Sequence, residues 1–389
     1  MHAYTHKIPK QSAQQSPEQI GVGVGGVKGE EYGRRGQGAG VQNREEGEEY
    51  GRNGFSLRDL WNFTGPGWMV SIAYIDPGNL ETDLQAGAQF GYTLAWVLLW
   101  SSVLGLVIQI LALRLGIVTR RHLAEHCKDE YPAALRYILW VISELMIVAS
   151  DVPEVIGTAF AIQILSGDVI PLWGGVLLCS LSTFFFLALS HLGISFLTSF
   201  IGLLVGVMSV CFMTECILSP PDAEATIAGT LLPVLPAGSE QLAVGILGAV
   251  AMPHNLFLQS GLVLSKRVRR EKRSIEWAML YTTIETGVVL GVSFVINTSV
   301  LLVAASSFAS HWCAPRGAVC EALEDCAPSS RSVTAPPPPH TGCFEVGLET
   351  AGQLLSQLIG ARASMLWAIA LLASGQSSTI TGNVFCVLE

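Results

Sequence analysis

Charge is scarce in this chain: 14% of its 389 residues are Asp, Glu, Lys or Arg, against about 25% in an ordinary soluble domain. Basic residues number 22 and acidic ones 31, a net charge of −9, which does not argue for nucleic-acid binding. No phosphate loop, nucleophile elbow or HExxH zinc motif occurs, so the chain does not read as an enzyme. An N-terminal apolar core of the kind a secretory leader needs is also lacking. Residues 1–55 are instead polar, rich in Gly, Gln, Glu and Arg, and repeat Glu-Glu-Tyr-Gly-Arg at 30–34 and 48–52. So few large apolar groups cannot offset the entropy of ordering, and this segment is expected to be a disordered cytoplasmic tail.

What the chain has in quantity is apolar sequence: half of it is hydrophobic, with mean hydropathy +0.47. A helix needs about 20 apolar residues to cross a bilayer. The runs 66–90, 93–118, 136–165, 170–190, 194–218, 241–265, 277–306 and 363–381 meet that need, predicting an all-α polytopic membrane protein of about eight spans. The interrupted apolar stretch 346–360 reads as a short interfacial helix leading into the last span.

Basic residues in the connections set the orientation. Arg120, Arg121 and Lys128 lie between spans two and three; Lys266, Arg267, Arg269, Arg270, Lys272 and Arg273 lie between spans six and seven. The connection 219–240 has none, and 307–345 has only Arg316 and Arg331. The first two connections and the N-terminus are therefore expected in the cytoplasm. The other two face the exterior or an organelle lumen. Four of the nine cysteines, Cys313, Cys320, Cys326 and Cys343, fall in the connection 307–345. An oxidising exterior favours disulfides among them, with three pairings open. A zinc site is the rival reading, but the spacings are irregular and Pro336 to Pro339 interrupt them.

Two proline-broken polar motifs sit inside the apolar runs: Asp76-Pro77-Gly78-Asn79 in the first span and Met252-Pro253-His254-Asn255 in the sixth. Carboxylate, amide and imidazole groups are costly in hydrocarbon and mark functional sites there. Pro77, Gly78 and Pro253 break the helices and free carbonyls just before them, including those of Ala73 and Ala249. In the first motif Asp76 and Asn79 offer hard oxygens suited to Na⁺, Mg²⁺, Ca²⁺, Mn²⁺ or Fe²⁺. The competing reading is a Pro-Gly kink whose Asp caps the second half-helix. In the second motif the thioether of Met252 is a soft ligand, favouring Mn²⁺, Fe²⁺, Co²⁺ or Cd²⁺ over Mg²⁺ and Ca²⁺; as an apolar filler it would carry no such meaning. His254 is a candidate ligand or, with a near-neutral pKa, a proton carrier. In the third span Glu144, Asp151 and Glu154 fall within an arc of about 80° at helical spacing. That acidic stripe reads as a proton route, or as a structural stripe neutralised by basic partners.

The segments AYIDPGN (73–79), SDVPEVIG (150–157), GAVAMPHNLFLQS (248–260) and GQSSTITG (375–382) resemble the NRAMP family of proton-coupled divalent metal transporters. The form around Asp151 looks most like its plant and algal members. The resemblance covers about residues 56–382 and implies a LeuT-type fold: two inverted repeats of five helices, each with an unwound first helix. The first repeat would span about 60–218 and a partial second about 240–382. It also implies a metal site of Asp76, Asn79, Met252 and the Ala249 carbonyl, joined by the Ala73 carbonyl in some states, and proton exit along Glu144, Asp151 and Glu154 with His254 nearby. Mn²⁺ or Fe²⁺ would be cargo rather than a resident cofactor; the implied partners are divalent metal ions, protons and the lipid bilayer. The membrane would be the plasma membrane or a vacuolar or endosomal one.

This sequence departs from the family pattern in places. Gln259 stands where a second histidine is usual, and Lys266 or Arg267 fills the place of a cytoplasmic basic residue. Past Gly382 the pattern dissolves into residues 383–389, so helices nine and ten are expected to be missing, with the chain a fragment or a mis-predicted gene end. Two rivals to metal import follow: a non-transporting NRAMP-like sensor or inactive fragment, and a sodium-coupled organic-solute carrier, against which Met252 speaks.

Overall fold

The computed structural model describes residues 55–57, 60, 74–190, 194–264, 268, 271–309, 312–313, 318–320 and 343–388. The tail 1–55, apart from its last residue, the first half of the first span and Cys326 lie outside the described residues. So does Ala73. The described chain is helical in nearly all its length. In order it forms α1 (Pro77–Phe90), α2 (Ala95–Thr119), α3 (Leu123–Glu130), α4 (Ala133–Leu165), α5 (Leu172–Ser190), α6 (Ile194–Leu218), α7 (Ala223–Leu231), α8 (Glu240–Val250), α9 (Pro253–Leu264), α10 (Lys272–Phe308), α11 (Leu348–Leu358) and α12 (Ala361–Leu388). Four described stretches are long and apolar enough to cross a membrane: Ala95–Thr119, Ala133–Leu165, Glu240–Leu264 and Lys272–Phe308.

The connection between α10 and α11 adds a feature absent from the all-helical expectation. Strands β1 (Trp312–Cys313), β2 (Ala318–Cys320) and β3 (Cys343–Glu345) form a small antiparallel sheet in the order β1-β2-β3. Its register sets Cys313 opposite Ala318 and Cys320 opposite Cys343. Strands this short carry no readable alternation, which is why the sequence pattern gave no hint of them.

Helix packing in a bilayer gains nothing from excluding lipid, because lipid is as apolar as leucine; close approach of small residues does the work instead. A Cβ at Gly87 would stand 2.2 Å from the Leu301 carbonyl oxygen, so α1 and α10 touch backbone to backbone there. A Cβ at Gly157 would come within 2.7 Å of Pro77 Cβ, which sets the start of α1 against α4. Helices α4 and α6 pack in turn on α12, where Trp367 lies edge-on to Phe212 with ring centroids 5.8 Å apart.

On the side carrying the basic connections, α2 ends at Arg120, whose φ of 54° is a left-handed cap. The guanidinium of Arg120 donates to the Val268 carbonyl, and the Leu123 amide donates to Ser260 Oγ at 2.9 Å, joining two basic connections. Arg121 binds Asp129 at 2.5 Å and holds its carboxyl below the ordinary range. Both side chains are exposed, so the pair adds little to stability.

Candidate metal site between two broken helices

Proline sets the geometry at both breaks. Asp76 is the N-cap of α1: its Oδ1 accepts from the Asn79 amide at 2.7 Å, with Pro77 at the first helical position, where a missing N–H costs nothing. At the second break α8 stops at Val250 and α9 starts at Pro253. The helical partner of the Ala249 carbonyl would be the amide of residue 253, and proline has none. That carbonyl is thereby released from the ladder. The same spacing of four relates Ala73 to Pro77 in the sequence.

The two breaks face one cavity of about 220 Å³. Asp76, Gly78 and Asn79 line it from the first break, and Gly245, Gly248, Ala249, Met252 and His254 from the second. Helix α4 closes it with Met146, Ala149, Ser150 and Pro153. Asp76 is 5% exposed, Asn79 3% and Met252 8%. No Lys or Arg is among these lining residues. A buried carboxylate without a basic neighbour calls for a cation. The set of carboxylate, amide oxygen, freed carbonyl and thioether mixes hard and soft donors, which fits a first-row transition ion or Cd²⁺ better than Mg²⁺.

The capping reading of Asp76 and the ligand reading are both compatible with this geometry. Capping engages Oδ1, whereas a carboxylate offers about four lone-pair sites over two oxygens. A Cβ at Gly78 would make only ordinary contact with Asp76 Oδ1 and Pro153, 3.5 Å from each.

The acidic stripe is divided by the fold. Glu154 is buried, Glu144 half-buried and Asp151 exposed, and none of the three lines the cavity. Helix α4 presents the neighbouring Ser150 and Pro153 to the site instead.

Residues that the sequence reading did not single out hold the first break in place. Tyr74 OH meets Gln109 Nε2 of α2 at 2.5 Å, and Asn297 Nδ2 of α10 donates to the Tyr74 carbonyl at 2.8 Å. Ser374 Oγ of α12 donates to the Ile75 carbonyl at 2.5 Å. Three helices thus satisfy carbonyl and hydroxyl groups that the broken helix exposes. The signal available was a lone neutral amide inside an apolar span. Further buried carboxylates, Asp83, Glu215 and Glu285, also lie within spanning helices.

A family model described as natural resistance-associated macrophage protein-like matches residues 67–385. Metal transporter Nramp6 of Arabidopsis thaliana is 47% identical over 344 residues, covering 88% of this chain and 61% of the relative. Natural resistance-associated macrophage protein 1 of Homo sapiens is 46% identical over 335 residues, 85% of this chain and 60% of the relative. Among solved structures, a mutant of the Eremococcus coleocola manganese transporter superposes with TM-score 0.66 at 28% identity, covering 84% of this chain and 65% of that one. The chain therefore spans about three fifths of the length of these curated relatives.

Proposed function

The chain belongs to the natural resistance-associated macrophage protein family, and from that premise we propose that it carries divalent transition-metal ions, Mn²⁺ or Fe²⁺ with Cd²⁺ and Co²⁺ as surrogates, across a membrane coupled to proton movement. The observation that carries the reading is the single cavity in which Asp76, Asn79, Ala249 and Met252 meet. The ion sheds water on binding, and the Asp76 carboxylate compensates its charge. Met252 selects against Mg²⁺ and Ca²⁺, which gain little from sulfur. Alternating access follows from rocking of α1, α8 and α9 against the helices that hold the breaks, with the site near the pivot.

Protons take the second role. His254 lines the same cavity, and its Nδ1 has no hydrogen-bond partner among the described residues. Occupation by a cation disfavours a charged imidazole beside it, so binding of metal and release of a proton are linked. Glu154, buried on α4, is the next acidic group on the proposed route, followed by Asp151 and Glu144.

The test is Mn²⁺ flux into liposomes holding the purified chain, beside calorimetric binding of Mn²⁺. Flux that is lost in Asp76→Ala and faster with an acidic exterior is the expected result. Binding without flux would make the chain a sensor rather than a carrier; equal flux in the parent and Asp76→Ala would remove Asp76 from the mechanism.

A further inference from the structure

Helix α11 begins without a capping side chain of its own. Its N-cap is Gly347, and the amides of a first helical turn have no partner inside the helix. Thr350 Oγ1 accepts from the Gly347 amide at 3.0 Å. The next amide, that of Leu348, is satisfied from elsewhere: Glu81 Oε2, on α1, accepts it at 2.7 Å. The other carboxylate oxygen of Glu81 accepts from Gln85 Nε2, one turn further along α1, at 2.6 Å. Gly347 is small where the carboxylate comes close, since a Cβ there would lie 3.3 Å from Glu81 Oε1. Glu81 therefore supplies across the molecule the anionic cap that an Asp at position 347 would supply locally.

The two ends of this contact lie on different helices, α1 and α11. Helix α11 is seated on α12 and α4: Trp367 Nε1 donates to the Leu348 carbonyl at 3.4 Å, and Gly352 fits between Ile164 and Trp367. Helix α1 carries the metal motif at its start. There it is pinned by Ser374 on the Ile75 carbonyl and by the close approach of Pro77 to Gly157. Glu81 lies six residues beyond Ile75, about 9 Å along the helix axis. Rocking of α1 about the pinned break displaces Glu81 relative to Leu348 and strains their contact.

We propose that Glu81 is the latch of the outer gate. Its carboxylate on the N-terminus of α11 holds the outer half of α1 against α4 and α12, and must let go before the metal cavity opens to the exterior. Glu81 is a positioning residue, acting on the site through α1 rather than touching the ion. The proposal rests on the transport reading for its purpose, but the contact and its release can be measured without transport.

The experiment uses the full chain with Gly248→Cys as a reporter. Gly248 lines the cavity, and nothing lies within 4 Å of a Cβ built there. Labelling by a membrane-impermeant thiol reagent from outside is measured over the parent lacking that cysteine. Glu81→Ala is expected to raise the labelling rate about fivefold, the effect of losing one partly buried helix-end charge contact. Glu81→Gln, which keeps an acceptor oxygen, raises it less. Gly347→Val, which crowds the carboxylate from the α11 side, raises it in the same direction without touching Glu81. Cd²⁺ affinity, measured on the same three substitutions without the Gly248→Cys reporter, stays within about threefold. Unchanged labelling in Glu81→Ala overturns the latch, and so does a rise accompanied by loss of Cd²⁺ binding, which would mean a damaged site. Absence of metal flux in the parent, with the labelling changes intact, would count against transport alone and leave the latch standing.

Discussion

Asp76 caps a helix and faces a cavity, and the two roles respond differently to substitution. Asparagine caps about as well as aspartate. Asp76→Asn therefore keeps the bond to the Asn79 amide and removes only the charge. Its thermal unfolding in detergent should match the parent within about 1 kcal/mol, while calorimetry shows Mn²⁺ binding weakened tenfold or more. Asp76→Ala loses both the charge and the cap, the latter costing about 1 kcal/mol. Parent-like Mn²⁺ affinity in Asp76→Asn would reduce the residue to a cap. Met252→Leu is the matching test of the sulfur, because it nearly conserves volume. Cd²⁺ affinity should fall by about an order of magnitude more than Mn²⁺ affinity, since cadmium is the softer ion. These two residues were legible in the sequence because an acid and a proline in an apolar run break two patterns at once. Gln109 and Asn297 were not. A single neutral amide disturbs neither charge nor periodicity, and its importance appears only when it reaches the Tyr74 group across the bundle.

At the scale of elements, hydropathy located the spans and proline located the breaks, because both effects are local. The helix ends were less legible. Helix α10 runs over Lys272–Phe308, well past the apolar run 277–306, and α12 over Ala361–Leu388 rather than 363–381. A helix does not stop where hydrocarbon stops; it continues until a cap or a competing contact ends it. The small sheet was hidden for the opposite reason, having strands too short for a period. Its register sets Cys320 opposite Cys343, which makes one of the three pairings testable. Residues directly opposite in an antiparallel pair have Cα atoms about 4.5–5.5 Å apart, inside the range of about 4.4–6.8 Å that a disulfide spans. A non-reducing peptide map of protein from an oxidising compartment should contain a Cys320–Cys343 linkage. A Cys313–Cys320 linkage would show that the native register differs.

For the whole molecule, the distribution of basic residues makes a claim about sidedness that the helix packing alone does not make. Arg120 and Arg121 precede α3, Lys128 lies in its last turn, and Lys272 and Arg273 open α10, whereas the connection that holds α7 has no Lys or Arg. Positive charge is retained in the cytoplasm, so the expected arrangement has α3 inside and α7 outside. A native thiol lies at the right place to test this. Cys127 sits on α3, half-buried and free, while the other free cysteines among the described residues, Cys179, Cys211 and Cys216, lie within the apolar helices α5 and α6. An impermeant maleimide applied to sealed right-side-out vesicles should leave Cys127 unlabelled, and permeabilisation should expose it, with Cys127→Ser removing that signal. The pH dependence identifies the thiol further. Partial burial pushes the Cys127 thiol above its ordinary range. The reactive species is the thiolate, and a raised pKa leaves less of it at neutral pH. Labelling of Cys127 should therefore be slower than that of a fully exposed thiol at the same pH, with its rise displaced to higher pH. Labelling of Cys127 in sealed vesicles would invert the topology. It would place the cysteine-bearing sheet in the reducing cytoplasm and Glu81 at an inner gate instead of an outer one.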